Sequence, residues 1–439
     1  MAVKKPYKQP SVGDKVDIFI DNKKESGILL NSHEKSVILL KLSNGYNIGI
    51  KKDDVSKIVV IDKVKIDKDK KGKKSDDDFK LSGKKPIIDF ILTGGTISSK
   101  LDSKTGGVSW LINAKELFFI YPEIFEICDI RIKSPFLKAS ENMNSNDWIR
   151  LSKIVSRSLN DPHVRGVIVS HGTDTLHYTS AALSFMLGKV SKPVVLTYSQ
   201  RSSDRGSSDS RMNLKCSAYT ALSDISEVVL VGHSTTNDDY CNILRGTKVR
   251  KMHTSRRDTF RPINISPLGK VYSNGKIEKI SEYNKRINGQ IKIKADSVYD
   301  DKIALIKYYP CMNPESIDYY RKKKYKAIII EMTGLGHVAT EGKYNLIPVI
   351  RGLVKAGVMI FAVPQTLYGR LNPNVYSPGR KLKEIGVVFL NDILPETALV
   401  KLGWVLGHKE WRGTIATPAK MLENVCYEFN NRLNEEFMN

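Results

Sequence analysis

The stretch IIDFILTGGTISSK, residues 87–100, runs six residues, five of them apolar, into a Thr-Gly-Gly-Thr turn crowded with hydroxyls. A second run, VRGVIVSHGTDTLHYT at 164–179, breaks in the same way into His-Gly-Thr-Asp-Thr. Short apolar runs bounded by turn residues predict strands buried on both faces, the habit of parallel sheets. Two more, KPVVLTY (192–198) and EVVLVG (227–232), follow. Helical patterns lie between them, in NDWIRLSKIVSRSLN (146–160) and over 179–187. Alternating strands and helices predict an α/β fold with a parallel sheet.

The rest of the chain is organised around that sheet. Upstream, KVDIFI, ESGILLNS, SVILLKL, YNIGIK and SKIVVID read as five short strands joined by tight turns, a small closed barrel of Sm or SH3 type over 1–62. Residues 63–85 are nearly all lysine and aspartate, too polar to order themselves, and read as a flexible linker. A larger α/β domain is expected over 86–290. A smaller one is expected over 301–439, on the strands KIALIKYY, KAIIIEMTG, VMIFAVP and GVVFLN.

Composition narrows the function. The formal charge is +23, from 70 Lys and Arg against 47 Asp and Glu, a surplus that attracts polyanions, nucleic acid first. Lysine far outnumbers arginine, so base-reading by planar forks is not signalled. No run approaches the ~20 apolar residues of a membrane span. The start MAVKKPYKQPSVGDK lacks the apolar stretch of a secretory leader. Five scattered cysteines, without a C-x-x-C pair, read as reduced thiols in a cytosol. A cytoplasmic chain is expected.

Ligands of open parallel sheets bind beyond the carboxyl ends of the strands, where both glycine turns fall. Gly94 and Gly95 would allow close backbone approach. Neither turn is a phosphate loop or a dinucleotide fingerprint. Each alone is more often a helix cap. Together they suggest acyl transfer: a threonine hydroxyl needs a base or a cation to become nucleophilic, and backbone amides stabilise an oxyanion.

The ordered pair TGGTIS and HGTDT resembles the threonine motifs of the L-asparaginase/glutaminase family over about residues 86–439. SENMNSNDW (140–148), HGTDTLHYTSAALSFM (171–186), SQRSSDRGSSDSRMNL (199–214) and LPETALVKLGWVLG (394–407), with the barrel ahead of them, resemble one branch more closely. That branch comprises the D subunits of archaeal glutamyl-tRNA(Gln) amidotransferases. The resemblance implies Thr96 as the acylated nucleophile. It implies Thr173, Asp174 and Lys251 as a hydroxyl–carboxylate–cation set, and Ser140 and Glu141 as ligands of the substrate's α-carboxylate and α-amino groups. Lys251 is placed by its spacing from Asp258-Thr259-Phe260, with Lys248 its nearest rival.

The same resemblance implies glutamine as amide donor and ammonia passed to a partner, the E subunit, that uses ATP and Mg2+ to amidate Glu-tRNA(Gln). No cofactor is expected in this chain. It also implies a homodimer within a heterotetramer, tRNA(Gln) contacted mainly through the partner, and no membrane. TGLGH (333–337) falls in the segment that reaches a neighbour's site. A tyrosine many members carry on the loop after the first threonine is missing from KLDSKTGGVSW, where Ser109 and Trp110 stand, so the base for Thr96 is left open.

Alternatives are a stand-alone cytosolic L-asparaginase and a basic RNA-binding protein with an inactive hydrolase fold. His171 and His177, six apart, do not share a helical face, so no zinc site is expected. Cys241 with His253 has nothing to set its geometry. KYYPCMNPESIDYYRKKKYK (307–326) reads as a solvated helix with buried tyrosines, and Asp209–Asn213 as helix capping.

Overall fold

The computed structural model describes residues 10–21, 23–30, 32, 34–43, 47–62, 81–101, 108–110, 121, 123–202, 207–287 and 291–432. Most of the 63–85 linker lies outside them.

At the amino end, β1 (Lys15–Ile20), β2 (Lys23–Leu30), β3 (Val37–Leu42), β4 (Asn47–Lys51) and β5 (Val55–Asp62) form an antiparallel sheet in the order β4-β3-β2-β1-β5. Period-two alternation buries Val16, Ile18, Leu40 and Ile50 in one small core. A single 3₁₀ turn, Lys52–Asp54, links β4 to β5, the two outer strands, and brings the edges of the sheet round toward each other. The barrel is seated on the body through Lys41. Its Nζ lies 3.8 Å from the ring centroid of Tyr121. Burial pushes this amine down to about 7, against the pull of Glu123.

The body begins with β6 (Ile87–Leu92), then the short ribbon β7 (Ser99–Leu101) and β8 (Val108–Trp110), the helical turn α1 (Ile124–Ile127) and β9 (Asp129–Lys133). Next come α2 (Ser145–Asn160), β10 (Val164–Ser170), α3 (Leu176–Leu187), β11 (Val194–Thr197), α4 (Ser210–Leu222) and β12 (Val228–His233). β13 (Cys241–Arg245), the ribbon β14 (Val249–Lys251) with β15 (Phe260–Pro262), β16 (Gly269–Val271) and β17 (Ile277–Lys279) complete it.

The large sheet has the order β17-β16-β13-β12-β11-β10-β6-β9. β9, β6, β10, β11 and β12 are parallel, as the apolar runs predict, whereas β13, β16 and β17 add on antiparallel. Alternate residues of β6 face opposite layers. Ile88, Phe90 and Leu92 pack with α4 residues such as Leu214 and Ala218, and Ile91 packs with Leu151 and Val155 of α2. α2 starts sharply: the Asn144 side chain accepts from Asn146 N at 3.0 Å, and Asp147 accepts from Asn144 N at 3.1 Å.

After a crossing over 291–301 that holds neither helix nor strand, a second parallel sheet follows in the order β18 (Ile303–Lys307), β19 (Ala327–Met332), β20 (Met359–Pro364), β21 (Val388–Phe389). Its helices are α5 (Glu315–Lys322), α6 (Ile347–Lys355), α7 (Ser377–Glu384), α8 (Pro395–Gly407) and α9 (Ala416–Leu422). One apolar cluster, with Ala181, Phe185 and Met186 of α3 and Ala398, Leu402 and Trp404 of α8, joins this layer to the first. Phe185 stacks on Trp404 with ring centroids 5.7 Å apart. Among the described residues no helix is long and apolar enough to cross a membrane.

Candidate active site

Register brings the two turns level. Leu92, Ser170 and Thr197, near the carboxyl ends of β6, β10 and β11, sit in one row of the parallel ladder. Just beyond it, Thr93 donates from N (3.3 Å) and Oγ1 (2.7 Å) to Ser170 O, and Lys138 N donates to Thr93 O at 2.9 Å. His171 N donates to Thr197 O at 3.0 Å. Both turns therefore leave one sheet edge side by side.

Glycine then allows the backbones to touch. Gly94 and Gly95 have φ of 116° and 92°, outside the range L side chains favour. A Cβ on Gly95 would lie 2.5 Å from Gly172 N, and one on Gly94 would strike the Lys138 carbonyl. A Cβ on Gly172 would lie 2.8 Å from Ser140 Oγ. Thr96, opening the 3₁₀ turn Thr96–Ser98, is one residue from the Gly95 contact, and Thr173 is one residue from Gly172. The turns meet across a backbone gap that has no room for a Cβ.

The two candidate lysines differ in what they touch. Lys251, on β14, donates from Nζ to Thr173 Oγ1 at 2.8 Å and to Asp174 Oδ1 at 2.7 Å. Thr173 is buried and Lys251 nearly so, while Asp174 has 61% of its side chain exposed, open to an incoming solute. Lys248 points elsewhere: it is sealed from solvent and paired with Asp392 at 2.6 Å. Ser140 is buried beside the turn. Its Oγ accepts from Asp174 N at 3.2 Å and its carbonyl from Thr175 Oγ1 at 2.6 Å, and among the described residues the Ser140 hydroxyl proton has no acceptor. Glu141, next in the 3₁₀ turn Ser140–Asn142, is exposed.

His171 stiffens the second turn from behind. Its Nδ1–H donates to Gly172 O at 2.7 Å, and Nε2 accepts from Thr179 Oγ1 at 2.9 Å, which in turn accepts from Trp148 Nε1 at 3.0 Å. Burial pushes this imidazole down to about 4, so it stays neutral at pH 7. His177 is buried too, 3.9 Å from Glu396, and burial, aided by Arg250 and Lys251, holds it at about 3. Among the described residues no three His, Cys, Asp or Glu side chains are grouped to hold a metal.

Other expectations fare unevenly. Cys241 is buried with its thiol on Asn213 Oδ1 at 3.4 Å, while His253 accepts from the amides of Ser255 and Arg256; they form no nucleophile pair. Asp209 does not cap α4 with its side chain; sealed from solvent, it accepts from Ser199 Oγ (2.9 Å) and from the amides of Gln200 and Arg201 (3.0 Å each), pinning the loop before the helix. In TGLGH, Thr333 Oγ1 donates to His337 O at 2.9 Å, closing a tight turn. Of KLDSKTGGVSW, residues 102–107 lie outside the described residues, and Ser109 and Trp110 form β8 opposite β7. In 307–326 the tyrosines divide: Tyr309 and Tyr319 are exposed, whereas Tyr320 and Tyr325 pack edge-on.

Comparison with known proteins agrees with this fold. Family models match for "Asparaginase, N-terminal" over 87–285, "Glutaminase/Asparaginase C-terminal domain" over 302–417 and "GatD N-terminal domain" over 11–61. The L-asparaginase of Thermococcus kodakarensis superposes with a TM-score of 0.69 at 26% identity, over 79% of this chain and 100% of that one. L-asparaginase I of Vibrio cholerae gives 0.68 at 26%, over 79% and 99%. The body thus places the chain in the asparaginase/glutaminase class of amidohydrolases. The glutamyl-tRNA(Gln) amidotransferase D subunit of Pyrococcus furiosus is 48% identical over 390 residues, 87% of this chain and 86% of that protein. Its counterpart in Methanobrevibacter smithii is 40% identical over 426 residues, 96% and 94%. The chain belongs to the family of glutamyl-tRNA(Gln) amidotransferase D subunits.

Proposed function

We propose that the chain hydrolyses the side-chain amide of glutamine and hands the ammonia to a partner, the E subunit, which amidates Glu-tRNA(Gln). Thr96 Oγ1 attacks the amide carbon and forms an ester as the C–N bond breaks. The threonine proton leaves with the nitrogen as ammonia, and water then hydrolyses the ester to glutamate. Thr173, Lys251 and Asp174 act as a relay: Lys251 exchanges a proton with the Thr173 hydroxyl, and Asp174 stabilises the ammonium form. Ser140 and Glu141 hold the substrate's α-carboxylate and α-amino group, a hydroxyl for the anion and a carboxylate for the cation. The observation that carries this reading is Lys251 on both Thr173 and Asp174, in a turn whose backbone abuts Gly95, one residue before Thr96.

The partner supplies ATP and Mg2+ chemistry, and no cofactor is assigned to this chain. Two copies of each of the two proteins assemble, with 333–337 reaching toward a neighbour's site and tRNA(Gln) contacted mainly through the partner. The net charge of +23 suits an assembly that holds RNA. Five unpaired cysteines suit a cytoplasmic setting. A barrel seated on the body by Lys41 favours a component of an assembly over a stand-alone asparaginase, because such barrels commonly serve docking.

Co-purification with the E subunit tests this. Glutamine-dependent conversion of Glu-tRNA(Gln) to Gln-tRNA(Gln) is expected, with glutaminase turnover higher in the presence of partner and charged tRNA. Equal turnover with and without them contradicts the coupled reading.

A further inference from the structure

Lys251 sits on a weak support. β14 has three residues and pairs with β15 alone, and a two-stranded ribbon is marginal by itself. Val249 and Phe260 bury its inner face in the first layer's core, and further ties come from the second α/β layer. Thr397 Oγ1 donates to Thr247 O at 3.0 Å, Thr247 Oγ1 donates to Cys426 O at 2.8 Å, and Lys248 Nζ donates to Asp392 Oδ2 at 2.6 Å. Nearest the site, Arg250 Nη2 lies 3.0 Å from Glu396 Oε1.

Glu396 is unusual among these. It stands in the first turn of α8, where the helix dipole favours a carboxylate, yet it is 6% exposed and its Oε2 has no hydrogen-bond partner among the described residues. His177 beside it is equally buried, and its Nδ1 also has no partner among the described residues. Buried polar atoms left unsatisfied are rare, and each calls for an explanation.

We propose that Glu396 is a positioning residue for amide hydrolysis: through Arg250 it fixes the ribbon that carries Lys251, and so ties the C-terminal layer to the proton relay. The inference rests on the reading of Lys251 as a relay member. Arg250 is the neighbour of Lys251 in the chain, so its guanidinium contact bears on where the lysine's backbone sits, alongside the pairing of Lys251 with Phe260.

The groups facing Glu396 are Arg250 from β14, His177 and Tyr178 from α3, and Glu331 from β19 with Lys307 beyond it. Burial raises the Glu396 carboxyl above its usual range, against the pull of Arg250. As pH falls it therefore takes up a proton before an ordinary glutamate does, and Arg250 then loses its counter-charge. His177, held at about 3, stays neutral there, and Tyr178, pushed up to about 12, does not ionise. Burial raises Glu331 as well, so it needs its own control.

The test is the pH dependence of glutaminase kcat and KM in the assembled complex, for Glu396→Gln, Arg250→Lys, Glu331→Gln and the double variant Glu396→Leu with Arg250→Met. Glu396→Gln and Arg250→Lys are expected to lower kcat by about tenfold or more with little change in KM, and Glu396→Gln to flatten the acidic limb. The double variant removes both partners of the pair, so a merely structural pair predicts recovery. Positioning predicts that kcat stays low. Wild-type kcat in Glu396→Gln or in the double variant overturns the proposal, as does an acidic limb that moves with Glu331→Gln instead. If Thr96→Val or Lys251→Met retained turnover, the functional reading itself would fail. If those two lose it while Glu396→Gln does not, only this inference falls.

Discussion

Lys248 and Lys251 stand three residues apart on one strand and its approach, each bonded to an aspartate, yet their surroundings differ. Lys248 and Asp392 are sealed from solvent, and the carboxylate is further tied by Asn430 through its backbone N (3.1 Å) and Nδ2 (2.9 Å). Lys251 shares its ammonium between a hydroxyl and a carboxylate that faces solvent. A buried pair tied down on both sides holds two layers together. A lysine left beside an open carboxylate and a threonine can exchange protons. Surroundings, not residue type, divide structure from chemistry here.

Substitutions sharpen that division. Thr96→Val, which removes the hydroxyl but keeps the shape, should abolish glutamine hydrolysis, by ~10⁴-fold or more in kcat, with unchanged circular dichroism. Lys251→Met and Asp174→Asn should each cost about 10³-fold with little loss of stability, and combining them should cost far less than the product. Lys248→Met should reverse the pattern. Leaving Asp392 buried without its cation should cost about 3–5 kcal/mol in denaturant unfolding, while turnover per folded molecule falls far less than for Lys251→Met. A Lys248→Met protein that is stable but inactive would erase the distinction.

The smallest effect expected is at Lys41. Its ordinary value is 10.5 and burial against Tyr121 lowers it to about 7. Between those values the unfolded chain binds the extra proton, so stability rises with pH across that window, and below about 7 the docked barrel bears the full penalty of a buried charge. Lys41→Met should flatten the rise in a urea series from about pH 7 to 10. An unchanged slope would remove Lys41 from the docking contact.

Much of this was legible in the chain because it is written locally. β6 and β10 are continuous apolar runs, and Gly94-Gly95 and Gly172 mark the turns that need close approach. The antiparallel half was not legible: β16 and β17 have three residues each, and no periodicity shows in so short a window. Spacing alone left Lys248 and Lys251 as rivals, since what separates them is Asp392 and Asp174, far off in sequence on different layers. His177 and Glu396 lie in stretches that carry the family resemblance, but nothing in the sequence couples them to Arg250, and only folding brings the three together. Asp209 looked like a helix cap because Asp before a helix commonly is one, but its carboxylate turns back to the loop.

The decisive measurement is covalent labelling with an electrophilic glutamine analogue carrying a diazoketone in place of the amide, mapped by mass spectrometry. The label is expected on Thr96, dependent on Lys251, and absent from Thr96→Val. A label on another residue, or equal labelling of Thr96→Val, would contradict the nucleophile and the relay built around it.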